Sequence, residues 1–194
     1  SVTTPIIYHY PNKKLIWSAG TNFNHFLLTP KNSGYQKLEK KKYLEKKFLT
    51  YSNGCAFLIK SEYINRVNSF TEDYFCNYED VDLGLKLKKL NVKTFYVPSA
   101  IVWHKESVAA GGLENPQYVY YQTRSGLKFR QRWSKNLTQL IIVKLFFFMI
   151  TAKRALNFIL KGNFLGVLAI LLGIFDAYFS RLHRRNYKIL ERKN

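Results

Sequence analysis

Three carboxylates lie close together at the start of a predicted amphipathic helix in the middle of the chain. Glu79, Asp80 and Asp82 fall within four positions, in a protein with 12 acidic residues against 31 Lys and Arg. Apolar residues then recur at helical spacing, which predicts a helix over residues 80–90. Carboxylates this close repel one another, so their joint ionisation costs energy unless a cation, a proton or a reacting group uses the charge. A structural alternative stays open, since acidic side chains in a first helical turn cap free N–H groups and complement the helix dipole.

Short apolar strands surround this helix. Strands are predicted at residues 5–10, 15–17, 56–59 and 94–97, with extended chain continuing to Trp103. Pro116 suits a helix start and predicts a helix that continues to Trp133. The charge run between Lys37 and Lys47 is typical of a solvated surface helix or loop.

Five short motifs follow one another between residues 53 and 125. They are N-G-C-A-F-L-I-K at 53–60, F-T-E-D-Y-F at 70–75, Y-E-D-V-D-L at 78–83, V-P-S-A-I-V-W-H at 97–104 and Y-Y-Q-T-R-S at 120–125. In this order and spacing the motifs resemble those of the family 2 glycosyltransferases, which are inverting enzymes of the GT-A fold. The resemblance is to their rhamnosyl- and galactofuranosyltransferase-like branch.

The motifs depart from the family pattern at a few positions. Thr71, Lys86 and Ser125 stand where the family usually has Asp, Arg and Asn. Asn68 and Asn91 stand where the family often has Gly. Because Asn tolerates left-handed backbone better than most residues, we expect these last two changes to be harmless.

The resemblance implies an α/β fold in two parts. Residues 1–135 would form the C-terminal part of a GT-A, Rossmann-like catalytic domain, and residues 136–194 would form amphipathic, apolar helices. The family's N-terminal half carries nucleotide-binding strands and an Asp-x-Asp metal motif, and no D-x-D precedes residue 80. We therefore expect this half to come from elsewhere, for instance from another chain, and the 194-residue chain alone to be inactive.

The resemblance also implies an activity and roles for the acidic cluster. The expected reaction moves a sugar, with inversion, from a nucleotide diphosphate sugar to a lipid-linked or polysaccharide acceptor in cell-wall or surface polysaccharide biosynthesis. Asp80 matches the family's catalytic base, which takes the proton of the acceptor hydroxyl. Glu79 is expected to contact a sugar, and Asp82 to orient the site or cap the helix.

Five further residues complete the site that the resemblance implies. Gly54 and Tyr121 lie in the matching motifs and are expected to bind substrate. Arg124 suits bidentate contact with phosphate oxygens, unless it is a surface arginine stacked on tyrosine. Trp17 can stack on a sugar or pack in the core. His104 is expected to approach a Mg²⁺ or Mn²⁺ ion, although a lone His at a strand end is more often a packing residue.

The composition shifts after residue 135. Residues 140–150 and 164–175 are almost wholly apolar, while residues 124–194 hold 15 Lys/Arg and 2 Asp/Glu, a net +13 of the total +19. Each apolar run is shorter than the roughly 20 residues of a spanning helix, and cationic rims suit an anionic leaflet. We expect peripheral or monotopic attachment to the cytoplasmic face of the cell membrane. A soluble helical hairpin and a spanning hairpin are the alternatives.

The charge alone leaves two other classes of function open. A basic protein with interleaved aromatic residues can bind nucleic acid. However, the basic excess lies among apolar runs and no nucleic-acid motif is present, so we expect no nucleic-acid partner. The other alternative is an inactive glycosyltransferase remnant that serves as a binding module.

Overall fold

The computed structural model describes residues 1–12, 14–105 and 112–179. The chain divides into two compact units, each with a buried core of its own. The first comprises Ser1–Asn24, Thr29–Thr71 and Glu79–Glu106, and the second comprises His25–Leu28, Glu72–Tyr78 and Ser107–Asn194.

The first unit contains a mixed β-sheet. The strands of the described chain are β1 (Val2–His9), β2 (Leu15–Ser18), β3 (Thr21–Asn24), β4 (Thr29–Asn32), β5 (Lys37–Leu38), β6 (Lys47–Leu49), β7 (Leu58–Ile59) and β8 (Thr94–His104). Six of them form one sheet in the order β5-β2-β1-β8-β6, with β7 also paired to β1, while β3 and β4 form a separate hairpin. The described chain combines this sheet with helices, and the predicted α/β class is confirmed.

The central pair of the sheet is β1 and β8, which run parallel. Their register places Ile7 opposite Val102 and His9 opposite His104. Ile6 and Ile7 are fully buried, as expected for a strand that has neighbours on both sides. Both strands are longer than the sequence predicts, because β1 begins at Val2 and β8 continues without a break to His104.

Two helices belong to the first unit, α1 (Ser61–Arg66) and α2 (Glu79–Lys89). The predicted helix over residues 80–90 therefore agrees with α2 to within one residue at each end. Asn68 and Asn91 adopt left-handed backbone, with φ of 54° and 58°, which confirms the expectation for these positions.

α2 approaches the chain around Tyr51 very closely. A Cβ atom added at Gly84 would lie 2.2 Å from Tyr51 Cβ and 2.8 Å from Tyr51 Cα. Because one of these neighbours is backbone, a rotamer change cannot relieve the contact. Gly84 therefore sets how closely α2 packs on this part of the chain.

The second unit is built on three helices, α3 (Pro116–Trp133), α4 (Leu137–Leu160) and α5 (Phe164–Phe179). The predicted start of α3 is confirmed: Pro116 occupies its first turn and the Asn115 side chain caps the N–H of Gln117 at 2.9 Å. α5 packs on α3 through Gly173, where an added Cβ would lie 2.9 Å from the Tyr120 carbonyl oxygen. The Tyr120 hydroxyl donates to the buried Asp176 carboxylate at 2.6 Å.

α4 and α5 extend the two apolar runs of the sequence. α4 is 24 residues long and includes Lys144, Lys153 and Arg154, while α5 is 16 residues long. Across residues 1–12, 14–105 and 112–179, every helix is too short or too polar to cross a membrane. Part of the cationic rim predicted beside these apolar runs, including Arg181, lies outside the described residues.

We predict that Gly84→Ala destabilises the protein by about 1–3 kcal/mol, because the new methyl group overpacks against Tyr51. A Gly-to-Ala change inside a helix ordinarily stabilises it by about 0.5–1 kcal/mol. Destabilisation by Gly84→Ala would therefore indicate the close contact with Tyr51. Urea denaturation monitored by circular dichroism measures the difference. Exposed Lys89→Ala on the same helix is the control, with a change within about 0.5 kcal/mol. Stabilisation by Gly84→Ala would contradict the close packing.

Candidate active site

Asp80 is the second residue of α2, and both of its carboxylate oxygens accept backbone hydrogen bonds. The N–H of Val81 donates to Oδ1 at 2.7 Å, within the first turn of the helix. The N–H of Gly54 donates to Oδ2 at 2.9 Å, across 26 residues of chain. The first bond is local and the second is not, so together they fix the orientation of the carboxylate.

Gly54 can donate this bond because its segment, residues 51–56, is held in place by side chains of the neighbouring strands. Thr4 Oγ1 donates to the Ala56 carbonyl at 2.9 Å, Asn53 Nδ2 donates to Ser18 Oγ at 2.8 Å, and Thr21 Oγ1 donates to the Tyr51 carbonyl. A Cβ atom at residue 54 would lie 3.2 Å from Asp80 Cβ, so a side chain there would crowd the carboxylate. The structure therefore brings together two of the predicted site residues, Gly54 and Asp80.

Glu79 and Asp80 occupy environments that raise the pKa of both. Burial raises the pKa of Asp80, while the N–H bonds from Gly54 and Val81 oppose the rise. Burial, and then the charge of Asp80, raise the pKa of Glu79 from 4.5 to about 7. Glu79 Oε2 is buried and has no hydrogen-bond partner among the described residues. Glu79 therefore holds its proton to a higher pH than an ordinary glutamate does.

Asp82 differs from these two residues because it is fully buried and its partners come from the fold itself. Thr71 Oγ1 donates to Asp82 Oδ2 at 2.6 Å, and Lys86 Nζ lies 3.2 Å from the same oxygen. Thr71 and Lys86 are two of the positions that depart from the family pattern, and both contact this carboxylate. The arrangement favours the orienting role predicted for Asp82.

Trp17 and His104, at the ends of β2 and β8, contact each other. Their ring centroids are 4.8 Å apart and their planes cross at 72°. Trp17 is half-buried, and its Nε1 atom is buried without a hydrogen-bond partner in the described part of the chain. In the part of the chain that the structure describes, His, Cys, Asp and Glu side chains form no group of three or more that could hold a metal ion. These residues do not make a metal site by themselves, and metal binding by His104 stays a prediction.

Arg124 and Tyr121 lie on α3 in the second unit, and both are buried. Arg124 Nη1 donates to the Asp73 carbonyl at 2.7 Å, and Nη2 lies 3.4 Å from Asp73 Oδ1. Lys128 binds the same carboxylate at 2.8 Å. The Tyr121 ring packs on Phe75 with centroids 4.7 Å apart. Arg124 is thus not a surface arginine, and its guanidinium holds the segment around residue 73, while its predicted contact with phosphate stays a prediction.

The segment between residues 72 and 78 is unusual in its backbone. Phe75, Asn77 and Tyr78 all have left-handed φ, of 61°, 65° and 71°. Such residues cost free energy and persist where their surroundings hold them. Ser125 Oγ on α3 lies 2.9 Å from the carbonyl oxygens of both Tyr74 and Cys76. Ser125, which stands where the resemblance expects Asn, therefore hydrogen-bonds to this segment.

No role was predicted for the residues that anchor the 51–56 segment. Thr4, Ser18 and Thr21 lie 30 or more residues from their partners, and nothing in their spacing points to the contact. The one available signal was Asn53, a polar residue next to Gly54 in the first family motif. Its amide is buried and connects the motif to β2.

Comparison with known proteins gives one partial similarity. No model of a known protein family matches the chain. The chain is 39% identical over 59 residues to N-acetylglucosaminyl-diphospho-decaprenol L-rhamnosyltransferase of Mycobacterium tuberculosis, in strain CDC 1551 / Oshkosh and in strain ATCC 25618 / H37Rv alike. The matching segment is 30% of this chain and 19% of that enzyme. The chain is thus related to glycosyltransferases over a short region.

Proposed function

We propose that this chain is part of an inverting family 2 glycosyltransferase, with Asp80 as its catalytic base. In the proposed reaction, Asp80 takes the proton of an acceptor hydroxyl while that oxygen attacks the anomeric carbon of a nucleotide diphosphate sugar. The bond from the anomeric carbon to the diphosphate breaks, and the nucleoside diphosphate leaves. The sugar is transferred with inverted configuration.

The observation that carries this proposal is the Asp80 carboxylate, oriented by two backbone N–H groups at the start of α2. A general base has to be held at a defined position, since catalysis by proton transfer depends on geometry first and on pKa second. Burial makes the carboxylate more basic, and the N–H groups limit the increase. Asp82 is a weaker candidate because Thr71 and Lys86 already engage it.

Glu79 is suited to a different task. With its pKa raised to about 7, Glu79 can carry a proton near neutral pH. Its buried Oε2 has no partner within the described chain, so a substrate hydroxyl is a suitable one. We propose that Glu79 positions a sugar through this hydrogen bond, next to the base.

The partial relative supports the proposed classes of substrate. Its name specifies L-rhamnosyl transfer to N-acetylglucosaminyl-diphospho-decaprenol, which is a lipid-linked acceptor. For this chain we propose a nucleotide diphosphate sugar as donor and a lipid-linked or polysaccharide acceptor. Gly54 would lie at the sugar site through its contact with Asp80, and Trp17, Tyr121 and Arg124 stay proposed substrate contacts.

A divalent cation, Mg²⁺ or Mn²⁺, is a proposed cofactor for which the described residues supply no complete site. His104 would give one ligand, and further ligands would have to come from another segment or chain. We therefore also propose that the 194-residue chain alone does not transfer sugar. The roles of Asp80 and Glu79 above depend on protein groups alone.

We predict that Asp80→Asn lowers sugar transfer by roughly a hundred- to ten-thousand-fold, because it removes the base and keeps its shape. The change is made in the native gene, so that any other segment that completes the enzyme is present. Isolated membranes then receive labelled nucleotide diphosphate sugars, and label in lipid and polysaccharide fractions is counted. Exposed Glu62→Gln is the matched control and should transfer normally. Near-normal sugar transfer by Asp80→Asn, together with loss of sugar transfer in Asp82→Asn, would identify Asp82 as the base instead.

We predict that Glu79→Gln removes a pH-dependent loss of stability. The folded state raises the pKa of Glu79 from 4.5 to about 7, so this residue favours folding when protonated, and the contribution is lost as pH rises through that window. Between about pH 4.5 and pH 7, the melting temperature of the wild type should fall relative to that of Glu79→Gln. Above about pH 7, the difference between the two melting temperatures should stay constant. Thermal scans across this range measure it, with Glu62→Gln as the control. A difference that is constant with pH would show that Glu79 has an ordinary pKa.

A further inference from the structure

The outward face of α4 carries apolar side chains in a continuous stripe. Leu145, Met149, Leu156 and Leu160 are all exposed, Leu145 at 66% and Leu160 at 78%. Their spacings of four, seven and four residues place them on one side of the helix. The opposite side, with Val143, Phe147 and Phe158, is buried in the second unit, so α4 has apolar residues on both its inner and its outer face.

α5 carries a second stripe of the same kind. Phe164, Leu171, Phe175 and Phe179 are exposed and again repeat at helical spacing, with Phe179 at 72%. α4 and α5 pack on each other within the second unit, where an added Cβ at Gly166 would lie 2.7 Å from the Phe158 ring. The two stripes therefore belong to one helical hairpin.

Cations accompany these stripes, and acidic residues are nearly absent. Lys153 is exposed four residues after Met149, and Lys144 lies over the Tyr178 ring, with Nζ 5.0 Å from its centroid. Between residues 137 and 179 the sequence has a single acidic residue, Asp176. It is fully buried and accepts from the Tyr120 hydroxyl.

We propose that the α4–α5 hairpin lies on a bilayer surface that contains anionic lipid, with its two apolar stripes at the boundary of head groups and acyl chains. Exposed Leu, Met and Phe side chains would leave water there, and the lysines beside them would lie among phosphate groups. The described helices are unable to span a bilayer, which favours an orientation along the surface. A second copy of the chain is a poor occupant, because residues 137–179 hold four Lys/Arg against one Asp, a net charge of +3 that the same surface on the partner would repel.

This inference is independent of the proposed glycosyl transfer, since it depends only on the exposed face of the second unit. Loss of membrane binding would leave the role of Asp80 unchanged, and an inactive enzyme could still bind lipid. The mycobacterial relative is named for a lipid-linked acceptor, and a chain bound at a bilayer surface would lie near such a molecule.

Flotation of the full 194-residue chain with vesicles tests the proposal. Vesicles of phosphatidylcholine with roughly one third phosphatidylglycerol should carry the protein upward, and pure phosphatidylcholine should carry much less. Leu145→Glu should weaken binding at least about tenfold, and Lys153→Gln about fivefold. Leu38→Glu is the matched control: it makes the same change at a residue of the first unit with 61% exposure, and should bind normally.

Leu156→Glu repeats the test at a second position of the stripe, and circular dichroism verifies that each variant is folded. Three results would overturn the proposal. The first is the absence of vesicle binding, or binding that Leu145→Glu and Leu156→Glu leave intact. The second is equal binding to neutral vesicles that survives high salt, which indicates insertion. The third is a dimer in light scattering, without lipid, that Leu145→Glu dissociates.

Discussion

The hydrogen bond from the Gly54 amide to the Asp80 carboxylate joins the two parts of the candidate site. A helix start can hold one oxygen of an acidic side chain by itself, as the Val81 amide does here. The second oxygen needs a donor from elsewhere in the chain, and the 51–56 segment supplies it because Thr4, Ser18 and Thr21 fix that segment to the neighbouring strands. Glycines at residues 54 and 84 allow the segment and α2 to approach this closely.

Three carboxylates within four positions end in three different environments. Asp80 is oriented by backbone N–H groups, Glu79 has a buried oxygen without a partner among the described residues, and Asp82 is held by Thr71 and Lys86. The repulsion that the sequence predicts contributes, after burial, to the raised pKa of Glu79, while Asp82 lies beside the Lys86 ammonium.

Sequence patterns predicted the elements that depend on local information. α2 follows from its apolar spacing and the start of α3 from Pro116, and Asn68 and Asn91 adopt the left-handed backbone that Asn tolerates. The β3–β4 hairpin, the anchors of the 51–56 segment and the burial of Arg124 were not predicted, because each depends on partners distant in sequence. The fold class and the neighbourhood of Asp80 could thus be inferred, whereas the bonds that orient its carboxylate required the structure.

Hydrogen exchange at the Gly54 amide, measured residue by residue by NMR, tests the central claim most directly. Gly54 is an exposed residue outside any helix or strand, and such an amide ordinarily exchanges quickly. If its N–H donates to Asp80, the amide should be protected in the wild type and should lose that protection in Asp80→Ala, while the Val119 amide in α3 stays protected in both proteins. Rapid exchange at Gly54 in the wild type, or protection that survives Asp80→Ala, would contradict the account.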